Sequence, residues 1–476
     1  MAIALIALPL AFAALAALVP SPRLRPRLVP IAATLHLGLV IAVLVRGETT
    51  GAGDWLALDP LGRVVLPLVS TLYFVCSLYV PTYLRLRAER KNRVFCLALL
   101  AFLAMMTLII LSRHLGLMWV ALEANTLASA PLLYFNNNPR SLEATWKYIL
   151  IGGVGVALAL LGSFFLAYAA LRSGLKTSLL VDELVTQAPL LSRPWLHTAF
   201  VILFVGYGTK MGLAPMHTWK PDAYGEAPGV VGALLAGGLT TCAFLGLLRF
   251  YQICVAAGEG PFAREMMLAI GLLSMAVAGV FMARQPDFKR MLAYSSVEHM
   301  GILVVGIAIS GLATFGALLH LVANALTKGV MFLSAANIHR AYGSKTIDGV
   351  SGALRRVPVS GALFLASFFA ATGTPPFAPF LSEFTILRGA FEQGHYTVAA
   401  IFLVLLFVAF VGMGGTVLAV VQGTPRADLG PGSRDTLGTV GPPLALMALV
   451  VVLGLYIPPF LDGALHDAAA YVEARP

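Results

Sequence analysis

The chain has 476 residues, 59% of them hydrophobic and only 11% charged, which excludes a soluble globular or disordered protein and leaves a polytopic membrane protein. Its net charge of +10 does not point to nucleic acid, because the Lys and Arg residues stand in short connections between apolar runs, where they set membrane orientation. The four cysteines, Cys76, Cys96, Cys242 and Cys254, lie in or beside apolar stretches without a C-x-x-C spacing. They read as small core residues, not as an iron–sulfur or disulfide framework.

In chain order, the apolar runs predict spans at 2–20, 29–46, 62–84, 94–112, 115–135, 147–171, 198–216, 229–254, 265–283, 291–310, 312–338, 358–391, 396–421 and 438–460. The first run has no basic residue before Arg23 and so lacks the positive start of a cleaved signal peptide; it reads as the first span. Fourteen spans put both termini on one side. Alternate connections, beginning with Arg23, Arg25 and Arg27 and ending with Arg426 and Arg434, hold 20 of the 32 basic residues, Lys220 among them. The other side holds 10, from Arg46 to Arg475, and the remaining two, Lys210 and Lys328, fall inside spans. This bias predicts the first set in the cytoplasm of a prokaryote, an inner-membrane location, and both termini outside. Only the loop around Arg172 to Pro194 and the tail after Leu461 have room for extramembrane structure. No phosphate cradle, metal-spaced His/Cys cluster or nucleophile motif appears outside the spans, so the chain itself calls for no cofactor and no metal, and its work lies within the bilayer.

The seventh span places Lys210 roughly 18 Å along a helix begun near Thr198, more than halfway across a ~30 Å hydrocarbon core. It then breaks at Pro215 and Pro221. A charge at such depth costs about 2.5–3.5 kcal/mol and calls for a partner in protein or water. Carbonyls freed by the prolines are tolerated only against protein or a watered cavity. The twelfth span is interrupted in a comparable way at Gly373-Thr374-Pro375-Pro376 before resuming toward Glu383. A pair of broken helices at matching places predicts two inverted five-helix repeats, at 94–254 and 265–421, within one transmembrane domain over 1–476.

Each ionisable group within a span has a bland reading beside a functional one. Glu123 is either a structural carboxylate or the partner that keeps Lys210 protonated. Lys210 is either a snorkelling lysine or a proton carrier, and its distance from both ends of the run favours the carrier. His320, Asn324 and Lys328, spaced i, i+4, i+8, line one helix face. They form either a packed polar stripe or a row of stations for water and protons, with His320 able to titrate near neutrality. Glu383 is either a cap on the resumed half-helix or the exit of the path. Glu298 and His299 are adjacent and point in different directions, so one of them at most belongs to the same path. His217 and Asp222 beside the broken helix serve its freed backbone as readily as they serve protons.

Several stretches together carry a resemblance: W-V-A-L-E at 119–123, K-M-G-L-A-P-M-H-T-W-K-P-D-A at 210–223, A-Y-S-S-V-E-H-M-G at 293–301 and H-L-V-A-N-A-L-T-K-G at 320–329. The chain resembles the antiporter-like proton-translocating subunits of respiratory complex I, membrane-bound hydrogenases and Mrp sodium/proton antiporters. L-E-A-N-T-L-A-S-A-P-L-L-Y-F and Y-S-S-V-E-H-M-G are most similar to the F component of hydrogenase 4, of formate hydrogenlyase type. The resemblance implies proton-path roles for Glu123 and Lys210, for His320 and Lys328 in a broken eleventh span, and for Glu383 at the end of the twelfth. It also implies partner subunits that carry the redox chemistry. Two departures stand out: Thr241 occupies the place of a central lysine in the eighth span, and Asn324 that of a second histidine.

The sequence therefore predicts proton movement, or H+/Na+ exchange, along Glu123, Lys210, His299, His320, Lys328 and Glu383. His217, Asp222, Thr241, Asn324 and Pro215 are supporting residues. Two other readings stay open: a structural membrane anchor with an incomplete channel, and a stand-alone cation/proton antiporter.

Overall fold

A backbone that spans a bilayer must satisfy its own N–H and C=O groups, and the apolar runs do so as helices. The computed structural model describes residues 1–47, 50–51, 53–425 and 434–473, so that Arg426 and Arg475 lie outside the described residues. The first six helices are α1 (Ala2–Leu18), α2 (Arg25–Arg46), α3 (Pro60–Leu86), α4 (Arg93–Leu111), α5 (Leu115–Leu133) and α6 (Pro139–Arg172). A two-stranded hairpin of β1 (Thr50–Gly51) and β2 (Gly53–Ala57) joins α2 to α3. Next come α7 (Val181–Gln187), α8 (Arg193–Met211), α9 (Trp219–Glu226), α10 (Gly229–Leu234) and α11 (Thr240–Ala256), the last two joined by a π-helical turn at Leu235–Leu239. The second half holds α12 (Gly260–Met282), α13 (Phe288–Ile309), α14 (Leu312–Tyr342), α15 (Ala353–Arg356), α16 (Pro358–Ala371), α17 (Ala378–Glu392), α18 (Tyr396–Val421), α19 (Leu437–Leu455) and α20 (Pro459–Val472).

Ten of these segments are long and apolar enough to cross a membrane by themselves, counting α10–α11 as one. Adding α1, α5, α8 and the two-part α16–α17 gives the fourteen predicted crossings of a polytopic membrane protein, all of them helical. The layering follows from which faces are apolar all round. The central segments α10–α11 and α14 are wholly buried along their apolar windows, whereas α2 and α18 are only one-third buried. The outer helices turn Val45, Leu150, Val280 and Phe407 outward, each more than 60% exposed, as a lipid-facing surface. Between α6 and α8 the backbones nearly touch: a Cβ added at Gly206 would stand 2.7 Å from the Ala159 nitrogen. Small residues are what allow such close helix contact in a membrane.

Polar groups at the ends of the bundle separate its two faces. On one face, Arg87, Arg140, Lys147, Asp222, Glu226, Arg290 and Lys345 help line a cavity of about 710 Å³. The basic residues here all come from connections assigned to a single side by charge bias. On the opposite face, Asp59 caps α3 by accepting from the Gly62 N–H at 2.6 Å and accepts from both Arg113 and Arg249. Arg249 also donates to the carbonyls of Ile109, Ile110 and Ser112 at 2.7–3.1 Å. The α20 helix closes that face, with Tyr471 accepting from Arg113 at 2.7 Å and Glu473 accepting from the Gly311 N–H at 2.5 Å.

Three sequence expectations need correction. Lys210 is the penultimate residue of α8, not a mid-helix residue, because the helix starts at Arg193 and stops at Met211. The eleventh span has no break, since α14 runs unbroken over 31 residues; the interruption falls instead on the eighth span, as the π turn before Thr241. Lys220 is not a loop cation: it is 0% exposed. After α8 the chain folds back into the bundle, with the Trp219 indole N–H donating to the Thr209 carbonyl at 2.8 Å, and this turns Lys220 inward.

Candidate functional site

The end of α8 brings the first buried charge among α5 and α6. Lys210 is fully buried, and its Nζ donates to Thr126 Oγ1 at 2.5 Å and to the Tyr148 hydroxyl at 3.3 Å. The same ammonium lies 4.6 Å from the Tyr148 ring centroid, a cation–π contact that helps hold a charge away from water. Tyr148 in turn shares a 2.6 Å hydrogen bond with Ser129. Glu123 stands one turn before Thr126 on α5. It makes no ion pair with Lys210 among the described residues, and its Oε2 has no hydrogen-bond partner. The two charges are nonetheless within electrostatic reach of each other.

The second group of buried charges lies where α13, α14 and α17 meet. Lys328 Nζ donates to Ser295 Oγ at 2.7 Å, and Glu298, one turn along α13, is close enough for the two charges to interact. His299 Nδ1 and His320 Nε2 are 2.9 Å apart, and His320 Nδ1 and Ser382 Oγ are also 2.9 Å apart. Ser382 donates its proton to the Pro379 carbonyl at 2.8 Å. The chain of donors then follows: Ser382 accepts from His320 Nδ1–H, His320 Nε2 accepts from His299 Nδ1–H, and His299 Nε2 is left bare. That atom has no partner among the described residues.

The row ends at the break in α16–α17. The donor atoms of His299, His320 and the Glu383 carboxylate all lie within 4.8 Å of one another. Gly373 has a φ of +63°, and a Cβ there would run into Glu383 Oε2, so this glycine supplies both the turn and the space for the carboxylate. His299, His320 and Glu383 are also the donor types of a metal site. Three of their four imidazole nitrogens are already engaged in the hydrogen-bonded row, an arrangement suited to relaying protons.

The remaining sequence-predicted residues are placed as follows. Asn324 is buried between His320 and Lys328 on α14, with neither side-chain polar atom partnered among the described residues. Thr241 donates to the Gly237 carbonyl at 2.8 Å, within its own helix. His217 packs against Phe281 and Tyr294, apart from the row, and Pro215 lies in the turn between α8 and α9. Asp222 reaches Lys147 at 2.8 Å and pairs with Arg290 at the cavity. Sequence reasoning missed Tyr148, Thr126, Ser295, Ser296, Ser382 and Lys220. The hydroxyls carry no signal in a single sequence. Lys220 carried one, a lysine between tryptophan and proline beside a broken helix, but it read as a loop cation.

The family model described as NADH:quinone oxidoreductase/Mrp antiporter, TM, matches residues 112–409, which cover both groups of buried charges. The chain belongs to this family. A hydrogenase-4 component F homolog of Methylacidiphilum infernorum is 33% identical over 420 residues, covering 86% of each chain. Subunit N of the NADH-quinone oxidoreductase of Desulforudis audaxviator is 31% identical over 445 residues, covering 90% of this chain and 87% of its own. Among solved structures, a chain of an archaeal membrane-bound sulfane sulfur reductase superposes with a TM-score of 0.88 at 20% identity, over 99% of this chain and 97% of that one. As a member of the antiporter family, the chain is an antiporter-like, multi-pass membrane subunit of the complex I, hydrogenase and Mrp group, as its motifs implied.

Proposed function

We propose that the chain translocates protons through the buried polar row, within a hydrogenase- or complex I-like membrane assembly whose other subunits carry the redox chemistry. The observation that carries this reading is the unbroken His299, His320 and Ser382 hydrogen-bond chain, whose two imidazoles lie with the Glu383 carboxylate in one cluster of donor atoms within 4.8 Å of one another. A proton taken up at the bare Nε2 of His299 displaces the Nδ1 proton onto His320 Nε2. His320 then gives its own Nδ1 proton to Ser382 Oγ as that hydroxyl turns its existing proton from the Pro379 carbonyl toward the Glu383 carboxylate, and each ring returns to neutral. Glu123 and Lys210 form the corresponding station of the first half, where loss of the Glu123 charge removes the field that favours a protonated Lys210. H+ is the ion these groups handle directly, and exchange for Na+ is a variant of the same path.

The halves at 94–254 and 265–421 are read as inverted repeats, since α8 breaks just after Lys210 and α16–α17 breaks just before Glu383. The charge bias orients the 710 Å³ cavity to the cytoplasm of the inner membrane and both termini to the outside. The likeness to hydrogenase-4 component F favours a hydrogenase or formate hydrogenlyase partner over an NADH module.

Lys210→Ala tests the reading in proteoliposomes holding the complex purified through a tag on this chain. Loss of proton uptake with assembly intact is expected. Unchanged uptake would leave the structural anchor, which the absence of a titratable group at Thr241 favours. Exchange by the chain alone in liposomes would instead establish a stand-alone antiporter.

A further inference from the structure

Between Lys210 and the His299–Lys328 group stands the eighth span, residues 229–256, which contains no Lys, His, Asp or Glu. Its single charged residue, Arg249, is held by Asp59 and three carbonyls at one face of the bundle. Thr241 is satisfied within its own helix. The two charged groups would be disconnected unless another element reached between them.

Lys220 does so, from α9. Its stem crosses Gly212, the residue that ends α8 two positions after Lys210: a Cβ on Gly212 would collide with Lys220 Cδ and Cε and stand 3.0 Å from Nζ. Gly212 has a φ of +76°, so only a residue without a side chain both makes this turn and leaves that passage free. At its other end, Lys220 Nζ donates to Ser296 Oγ at 3.1 Å. Ser296 directly follows Ser295, which accepts from Lys328. Lys220 therefore touches the end of the Lys210 helix and the helix that carries His299.

We infer that Lys220 is the proton-carrying station that joins the two halves of the row; the inference rests on the translocation reading above. A lysine buried for structure alone is expected to find a carboxylate or a full set of acceptors. Lys289, in the first turn of the α13 helix that also carries Ser296, shows what that looks like: its Nζ donates to the Gly225 and Ala227 carbonyls at 2.9 and 2.6 Å and ties down the end of α9. Lys220 has no carboxylate within 4.0 Å among the described residues. Beyond the single serine hydroxyl it has, among the described residues, that residue's carbonyl at 3.5 Å and the Tyr224 ring at 5.8 Å. An ammonium so thinly held gives up its proton readily. Lys220 and Lys328 on consecutive serines also disfavour both being charged at once, so protonation of one promotes release from the other.

The test uses the same tagged complex in proteoliposomes, with an internal pH dye and electron-donor turnover followed in parallel. Lys220→Met and Lys220→Arg are both expected to cut proton uptake to below about a tenth of wild type while donor oxidation with the membrane uncoupled persists. Arginine keeps the charge and the donor but does not deprotonate, so it separates a carrier from a structural cation and decides the matter if the methionine variant fails to assemble. Ser296→Ala is expected to move the midpoint of the pH profile of uptake by about one unit, through loss of the acceptor that favours the charged lysine. Uptake by Lys220→Arg above half of wild type, or an unmoved profile in Ser296→Ala, overturns the inference. If Lys210→Ala abolishes uptake and Lys220→Arg does not, only the station at Lys220 fails. If Lys210→Ala also leaves uptake unchanged, the translocation reading fails with it.

Discussion

Ser382 has one proton and two neighbours, and it gives that proton to the Pro379 carbonyl, which fixes His320 as the donor on its other side. The consequence runs two residues further: with both imidazoles neutral, the 2.9 Å contacts share one sense of donation, from His299 Nδ1–H to His320 Nε2 and from His320 Nδ1–H to Ser382 Oγ. A row with one sense of donation passes a proton along and must then be reset by ring rotation or a second proton. His320→Ala removes the middle acceptor and donor together. It is expected to lower proton uptake at least about tenfold while leaving assembly unchanged, as read in the proteoliposome assay beside a gel-filtration profile of the complex. Glu123, Lys210, His320, Lys328 and Glu383 were legible from sequence because an ionisable side chain in an apolar run is costly wherever it points. The hydroxyls that wire them were not legible, since Ser and Thr cost little in a helix and bond to their own backbone by default, as Thr241 and Thr126 both do.

At the scale of elements, the two helix breaks do different jobs. After α8 the chain turns back and α9 fills the space with Trp219, Tyr224 and Lys220, all 0% exposed. Sequence reasoning missed this because a short segment bearing Lys, Pro, Asp and Gly has the composition of a loop, and only the tertiary fold-back makes it interior. Between α16 and α17 the break makes room: Gly373 adopts the left-handed conformation exactly where a side chain would meet the Glu383 carboxylate. Gly373→Ala therefore combines backbone strain with displacement of that carboxylate. Its proton uptake is expected to fall to the level of Glu383→Gln, and uptake at the wild-type rate would show that the carboxylate position is not set by this glycine. The α3 cap is a purely structural counterpart. Asp59→Ala leaves Arg113 and the fully buried Arg249 without their shared carboxylate, a loss on the order of 3–5 kcal/mol. It should appear as a large drop in the thermal unfolding midpoint of the detergent-solubilised protein, with Asp59→Asn less affected because its side chain still caps the Gly62 N–H.

Across the whole molecule, the charged groups sort into two faces joined by a polar interior, and the outer surface between the faces is apolar. The number of crossings was legible because each apolar run is long enough to span, whereas the sidedness that the cations in alternate connections imply is a proposal. The burial of Arg249 within α11 and of Lys289 in the first turn of α13 was not legible, since their partners come from distant parts of the chain. Sidedness is open to direct measurement because the four native cysteines are all buried and so shielded from a bulky, membrane-impermeant maleimide. A single new cysteine at exposed Lys91 or exposed Lys176 then reports one face each. In intact cells or right-side-out spheroplasts, Lys176→Cys is expected to label and Lys91→Cys to stay silent, and inverted vesicles should reverse the pattern. Labelling of Lys91→Cys from outside would place the 710 Å³ cavity on the external face. The polar row would then load from the opposite side of the membrane, and the direction of proton movement would have to be turned around with it.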